Sequence, residues 1–402
     1  MKYLSQFSAE IFQDIAEIKT NKIQYVDFFA GCGGMSYGFH LASKISEKIK
    51  NVGAFDVDEH ANKTYEKNLG TRPINIDLGS SSAKEITAHM KKNGYTEEDP
   101  IIVIGCAPCQ GFSSHRKKDP RKDTRNSLVA KFAEIAVGLN ADFIIMENVP
   151  DLLSDKHKRH YGQFEKTLKS AGYRINVKIV NMADYGVAQA RFRTLVLASK
   201  EFTPPIPEPI VDRQNYYTVY DAIGHLPKLS AGEKCIIDGM HITSKHRPET
   251  INIIKEVPKD GGSRPRGVGP KCLDKVAGFY DVYGRLAWKK PSITITARCR
   301  TPSCGRFSHP EQDRGLSVRE AALLQGFPPD FAFEGPFDDK FKQVGNAVPP
   351  IFSRILASHV LRIITTTDEM NDATVEKQRR FKSYSSIIAH VKSEKEISNE
   401  PN

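Results

Sequence analysis

The chain has 402 residues, a formal net charge of +10 and 26% charged residues, the balance of a globular protein with room for two or three domains. No apolar stretch is long enough to span a membrane, and Met1 to Lys22 lacks the basic start and apolar core of a secretory signal, so the sequence predicts an intracellular protein, cytoplasmic or nucleoid-associated, or nuclear if the source is eukaryotic. Its seven cysteines, odd in number and irregularly spaced, argue against a disulfide framework and fit a reducing compartment.

An N-terminal extension, residues 1–22, precedes a region that alternates short β-rich runs with helix-like stretches at the spacing of βαβ units. Strands are predicted at Ile23–Phe29, Val52–Val57, Ile74–Ile76, Ile101–Ile104, Phe143–Met146, Ile175–Val180 and Thr194–Leu197, and helices at His60–Asn68, Leu128–Leu139 and Phe164–Ser170. The prediction is a doubly wound, Rossmann-like α/β domain over residues 23–199. The prolines at 204, 205, 207 and 209 then exclude helix interiors and central strands, which predicts a boundary. A smaller, loop-rich domain follows to about residue 325, irregular from Val211 to Arg314, with a strand-like run at Ser292–Thr296 and a short helix at Val318–Leu324. Residues 326–366 return to the first domain through an apolar helical stripe at Pro350–Ile364, and residues 367–402 form a polar tail.

The first strand runs into Asp27-Phe28-Phe29-Ala30-Gly31-Cys32-Gly33-Gly34, a turn whose glycines allow close backbone approach to a ligand. The second strand ends in Asp56, Val57 and Asp58, where dinucleotide folds hold ribose hydroxyls, and Asp77 ends the third. No Gly-Lys-Ser/Thr closes the turn, so an adenosine-containing cofactor fits better than a nucleoside triphosphate.

Cys109 follows the apolar run Ile101–Ile104 in Pro108-Cys109-Gln110-Gly111-Phe112-Ser113, at the sheet edge where open α/β proteins bind ligands. Glu147 ends a further strand at that edge, a carboxyl suited to sharing a proton with a substrate. In Gln189-Ala190-Arg191-Phe192-Arg193, alternation sends Arg191 and Arg193 to one face, ready to grip an anion. The cluster Arg116, Lys117, Lys118, Arg121, Lys122 and Arg125 next to Cys109 suits phosphate contacts, or is a solvated loop. Cys106 and Cys109 also allow a thioredoxin-like pair or half a zinc site. Zinc lacks a second compact pair, since Cys299 and Cys304 are five apart with only His309 near them, and redox chemistry leaves Glu147 and the arginines without a role. No metal is expected.

These motifs resemble the cytosine-5 DNA methyltransferases that use S-adenosylmethionine. The glycine turn, the Pro108-Cys109-Gln110 segment, Glu147-Asn148-Val149, Gln189-x-Arg191-x-Arg193, the stretch Val318 to Pro328 and Gln343-Val344-Gly345-Asn346-Ala347-Val348-Pro349-Pro350 stand in family order. Ala188 departs from the proline that the family often carries before the glutamine. The resemblance implies a target-recognition role for the Val211–Arg314 region and a mobile active-site loop after Ser113. It implies that Phe29, Ala30, Gly31, Gly33, Asp56, Val57, Asp77 and Asn346 bind the cofactor, whose product is S-adenosylhomocysteine. Cys109 is the implied nucleophile at carbon 6 of a flipped cytosine, Glu147 acts on the ring, Arg191 clamps the base, and Arg193 supports the framework. Cys106 takes a packing role. Implied contacts to double-stranded DNA are Gln110, Ser113, Arg116, Lys117, Arg193, Arg264 and Arg266, with Lys245, Arg247 and Arg298 as further candidates. A monomer is expected, with a restriction endonuclease acting on the same sequence as a possible partner. Relatives that methylate transfer RNA carry a Cys-Phe-Thr signature that is absent here, which favours DNA. A non-catalytic DNA-binding module is disfavoured because the reactive side chains are all retained.

Overall fold

The computed structural model describes residues 22–108, 128–275 and 281–365, together with residues 3, 5, 11, 12, 372–374, 381–383 and 385–389. The first region folds as β1 Ile23–Phe28, α1 Ser36–Ile45, β2 Ile49–Phe55, α2 Glu59–Leu69, α3 Ala83–Lys92, β3 Ile101–Gly105, α4 Leu128–Gly138, β4 Phe143–Asn148, α5 Lys158–Ser170, β5 Arg174–Asn181 and β6 Phe192–Ser199. All residues of β1, β3 and β4 are buried, as central strands covered on both faces must be. Their continuous apolar runs made them legible in the sequence. Helix α2 starts where Asp58 accepts from the amides of His60 and Ala61 and stops at Gly70, whose φ of 73° is left-handed.

The strands form one sheet in the order β2-β1-β3-β4-β6-β5, with β6 antiparallel to both of its neighbours. From β1 the chain winds outward to β2 and then crosses to β3 on the other side. The strand order therefore reverses between β1 and β3, and a crevice opens beyond their carboxyl ends. This is the expected doubly wound, Rossmann-like architecture.

One predicted strand is corrected. Ile74–Ile76 forms a single bridge, Ile74 to Phe55, because Pro73 lacks an N–H on one side and the Asp77 turn begins on the other. The run Ser292–Thr296 likewise contributes a single bridge, from Ser292 to Gln189.

Beyond residue 199 come α6 Val219–Ile223, α7 Pro248–Glu256, α8 Val318–Leu324, α9 Phe337–Asn346 and α10 Pro350–Thr365. Helix α8 has the bounds read from the sequence, set by a capping box between Ser317 and Glu320. No multi-residue strand forms among the described residues of this second region. Arginines hold its loops instead. Arg285 donates to the carbonyls of Ile254, Val257, His309 and Gln312 at 2.7–3.1 Å, and Arg314 donates to Leu229 O and makes a two-point contact with Glu320. Buried carbonyls without a ladder need donors, and a guanidinium supplies five.

Helix α10 is long and apolar, yet it is mostly buried in the core and packs on α1. A Cβ on Gly38 would lie 2.2 Å from Ser353 O, so the two backbones approach as closely as a glycine permits. Tyr3, Ile11 and Phe12 of the N-terminal extension join the same core. Phe12 is fully buried, and the Tyr3 hydroxyl donates to Leu323 O at 2.7 Å.

Candidate active site

At the end of β1, Phe29, Gly31 and Gly33 have φ of 57°, 52° and 91°. A phenylalanine in left-handed backbone is uncommon and marks a turn fixed by its surroundings. Asp56, at the end of β2, holds that turn: its carboxylate accepts from the amides of Gly31 and Asp58, both at 2.8 Å. Burial raises the Asp56 pKa, and those two amide bonds oppose the rise. Helix α2 and the last motif close around the turn, since a Cβ on Gly33 would meet Leu69 at 2.7 Å and one on Gly34 would meet Val348 O at 2.3 Å.

Val57, just beyond β2, is 60% exposed, an apolar side chain open at the carboxyl end of the sheet. Asp77 is also exposed, with Oδ1 accepting from Gly79 N at 2.8 Å. Asn346 is exposed at the end of α9. Ala30 is buried and Phe29 half-buried. The carboxylates, exposed valine and glycine turn suit the hydroxyls and flat base of a nucleoside cofactor.

Asp27 was missed in the sequence, where it reads as one more letter of the turn. It is 1% exposed and accepts from the Ser36 hydroxyl, which accepts from Tyr65, which in turn accepts from Asn51 Nδ2. Burial pushes the Asp27 pKa up to about 8. Lys342 is a second addition: its ammonium lies 2.6 Å from Asp58 and ties α9 to the end of β2.

Strand β3 leads into Cys106, whose amide donates to Phe28 O. Burial, reinforced by the charges of Glu147 and Asp27, raises the Cys106 pKa well above that of an ordinary thiol. That environment works against a thiolate. Cys109, Gln110, Ser113, Arg116 and Lys117 lie outside the described residues, as does the rest of the basic cluster. Their expected roles stand on the sequence.

Glu147 is 7% exposed at the end of β4, and its Oε1 lies 3.0 Å from Arg193 Nε. Next to it, Asn148 Nδ2 donates to Ala107 O at 3.2 Å, which fastens the end of β4 to the chain just before Cys109. Arg191 goes elsewhere. It is 2% exposed, and its guanidinium donates to Ile295 O at 3.0 Å, Gly345 O at 3.3 Å and Ala347 O at 3.1 Å. The two arginines expected on one face therefore separate, Arg193 to the Glu147 carboxyl and Arg191 to the backbone of the last motif. Gln189 adds to that latch by donating to Leu324 O and Gln325 Oε1 and accepting from Ile295 N.

In the second region Arg264 is paired with Asp274 at 3.0 Å and bonded to Val268 O, so its charge is committed within its own loop. Arg266, Lys245, Arg247 and Arg298 are exposed.

A reversed strand order, a strained glycine turn braced by an aspartate and a carboxyl at the same edge define a Rossmann-like methyltransferase domain. The family described as C-5 cytosine-specific DNA methylase matches residues 23–362. The chain belongs to that family and is a DNA (cytosine-5) methyltransferase. It is 35% identical to the type II methylase M.HgiDII of Herpetosiphon aurantiacus, over 84% of this chain and 95% of the relative. It is 34% identical to the type II methyltransferase M1.HphI of Haemophilus parahaemolyticus, over 85% of this chain and 88% of that one. In fold it is similar to the S. pombe Dnmt2 methyltransferase, with a TM-score of 0.52, 18% identity and coverage of 86% of this chain and 100% of the other.

Proposed function

We propose that this enzyme transfers the methyl group of S-adenosylmethionine to carbon 5 of a cytosine flipped out of duplex DNA, through a transient bond between Cys109 and carbon 6. Support comes above all from the 3.0 Å contact that steadies Glu147 with Arg193, at the sheet edge that also carries the braced glycine turn and the entry to Cys109.

Carbon 5 of cytosine is a poor nucleophile. The Cys109 thiolate adds to carbon 6 and pushes an electron pair toward carbon 5, while Glu147 shares a proton with ring nitrogen 3 and stabilises the developing charge. Arg193 holds the Glu147 carboxyl in place; the Arg191 latch keeps the last motif against this edge. When bound, S-adenosylmethionine would supply an electrophilic methyl group for carbon 5, its sulfur keeping the electron pair of the broken sulfur–methyl bond. Loss of the carbon 5 proton, to water or to a side chain, then expels Cys109 and restores the aromatic ring. Phe29, Ala30, Gly31, Gly33, Asp56, Val57, Asp77 and Asn346 would hold the cofactor. Carbon 6 is shielded in a stacked duplex, so the base must leave the helix at a cost of roughly a few kcal/mol, offset by phosphate contacts from the loop after Ser113 with Gln110, Arg116 and Lys117.

The second region would read the DNA sequence, with Arg266, Lys245, Arg247 and Arg298 as contacts; Arg264 would organise the loop that carries Arg266. The enzyme would work as an intracellular monomer alongside an endonuclease of the same specificity, as the type II names of its relatives suggest. Purified Cys109→Ser protein should bind cofactor normally and transfer no methyl group, and robust turnover would overturn the assignment. Mapping methylated cytosines in DNA from cells expressing the chain tests activity and target together. Greater methyl incorporation into transfer RNA than into duplex DNA would reject the DNA reading.

A further inference from the structure

The second region contains a cavity of about 630 Å³ that shares no residue with the methyl-transfer site. The chain's single tryptophan, Trp288, forms one wall. Tyr220 stands against it at 5.7 Å between centroids and 82° between planes, and His309 meets it at 5.3 Å and 85°. Rings set at right angles make a corner. Such a corner does not sandwich a flat base, which stacks between parallel faces, but it can surround a compact cation with the negative faces of aromatic rings.

Carboxylates complete the corner. Trp288 Nε1 donates to Glu311 Oε1 at 2.9 Å, and Trp288 N donates to Asp260 Oδ1 at 2.7 Å. Glu311 is thus tied to the edge of the ring and Asp260 to the backbone of the same residue, and both acids are exposed. Asp221 also lines the cavity, although its carboxylate caps α6 through Thr218. Lys228 and Lys289, also in the lining, oppose this charge. With His309 neutral, three acids against two lysines leave the lining one charge negative. Tyr220 is 62% exposed, more than a ring that merely fills a core would be.

We propose that the corner of Trp288, Tyr220 and His309, with Glu311 and Asp260, is a binding site for a compact organic cation, either a methylated ammonium or the amine end of a polyamine. The site is separate from methyl transfer.

Trp288, as the only tryptophan, reports its own occupancy. The full-length protein would be titrated with tetramethylammonium chloride and, in parallel, with spermidine, following tryptophan fluorescence against sodium chloride at matched ionic strength. A saturable change beyond the salt control is expected, stronger with tetramethylammonium if the site takes a quaternary ammonium and with spermidine if it takes a polyamine end. Tyr220→Ala and Glu311→Gln should each weaken binding about five- to tenfold, and Lys289→Ala should tighten it. All three variants should keep wild-type methyl transfer and thermal unfolding. A response no larger than that to sodium chloride, or one that Tyr220→Ala and Glu311→Gln leave unchanged in stably folded protein, overturns the proposal.

Discussion

Asp27 lies beneath the glycine turn with one carboxylate oxygen bonded to Ser36 and the other meeting no donor among the described residues. Its pKa, raised by burial from 3.8 to about 8, means that between those values the folded chain keeps a proton that the unfolded chain has lost. Its contribution to stability is therefore complete below about pH 4 and declines as pH rises toward 8. Asp27→Asn should remove this decline: unfolding free energies measured from pH 5 to pH 8 should shift in the variant's favour by on the order of 1 kcal/mol or more, and parallel curves would refute the account. Arg193 calls for a kinetic test. Arg193→Ala leaves Glu147 without its 3.0 Å partner, so kcat should fall about a hundredfold while cofactor affinity stays unchanged, and Arg193→Lys should recover part of the loss. The sequence named Glu147 and both arginines, with Arg191 as a clamp on the base and Arg193 as a support of the framework. Alternation indicates which residues share a face; only the tertiary contacts determine which of two arginines reaches the carboxyl.

Elements were legible where burial is two-sided. Strands β1, β3 and β4 read as continuous apolar runs, and α8 announced itself through its capping box. Helix α9 was missed because Asp338, Asp339, Lys340 and Lys342 outweigh its stripe of Phe337, Phe341 and Val344, a stripe that gains meaning only against its neighbours. Ile74–Ile76 failed for the opposite reason, being apolar enough but too short between Pro73 and the Asp77 turn. Helices α1 and α10 approach closely at Gly38, whose N also donates to Ser353 Oγ at 2.9 Å. Gly38→Ala should force these helices apart and cost about 1–3 kcal/mol, measured by urea unfolding; an unchanged midpoint would show that the pair can spread freely.

Across the second region, Arg314 ties the loops to α8 by joining Leu229 O, Gln312 and Glu320. Burial pushes the Glu320 carboxyl up, but Arg314 outweighs it and brings the pKa down to about 2. Burial lowers His309, 3.8 Å from Glu320, to about 4. Both folded values lie below the ordinary 4.5 and 6.5, so both contributions are complete above pH 6.5 and are lost on acidification, His309 between 6.5 and 4 and Glu320 between 4.5 and 2. Glu320→Gln should cost about 3–5 kcal/mol at neutral pH by stranding the buried Arg314 charge. Circular dichroism against pH should then show a flatter acid transition below pH 4.5; an unaltered profile would remove this cluster from the account.

The sequence by itself determined the class of fold, the order of the motifs, the reactive residue types and the family, because these depend on local pattern and chemical identity. The tertiary structure decided that Arg193 meets Glu147, that Arg191 and Gln189 latch the last motif, that Arg264 is committed to Asp274, and that Asp27 is sealed beneath the turn. Each depends on which backbone carbonyls and carboxylates are brought close by segments far apart in the chain, and no local pattern encodes those distances.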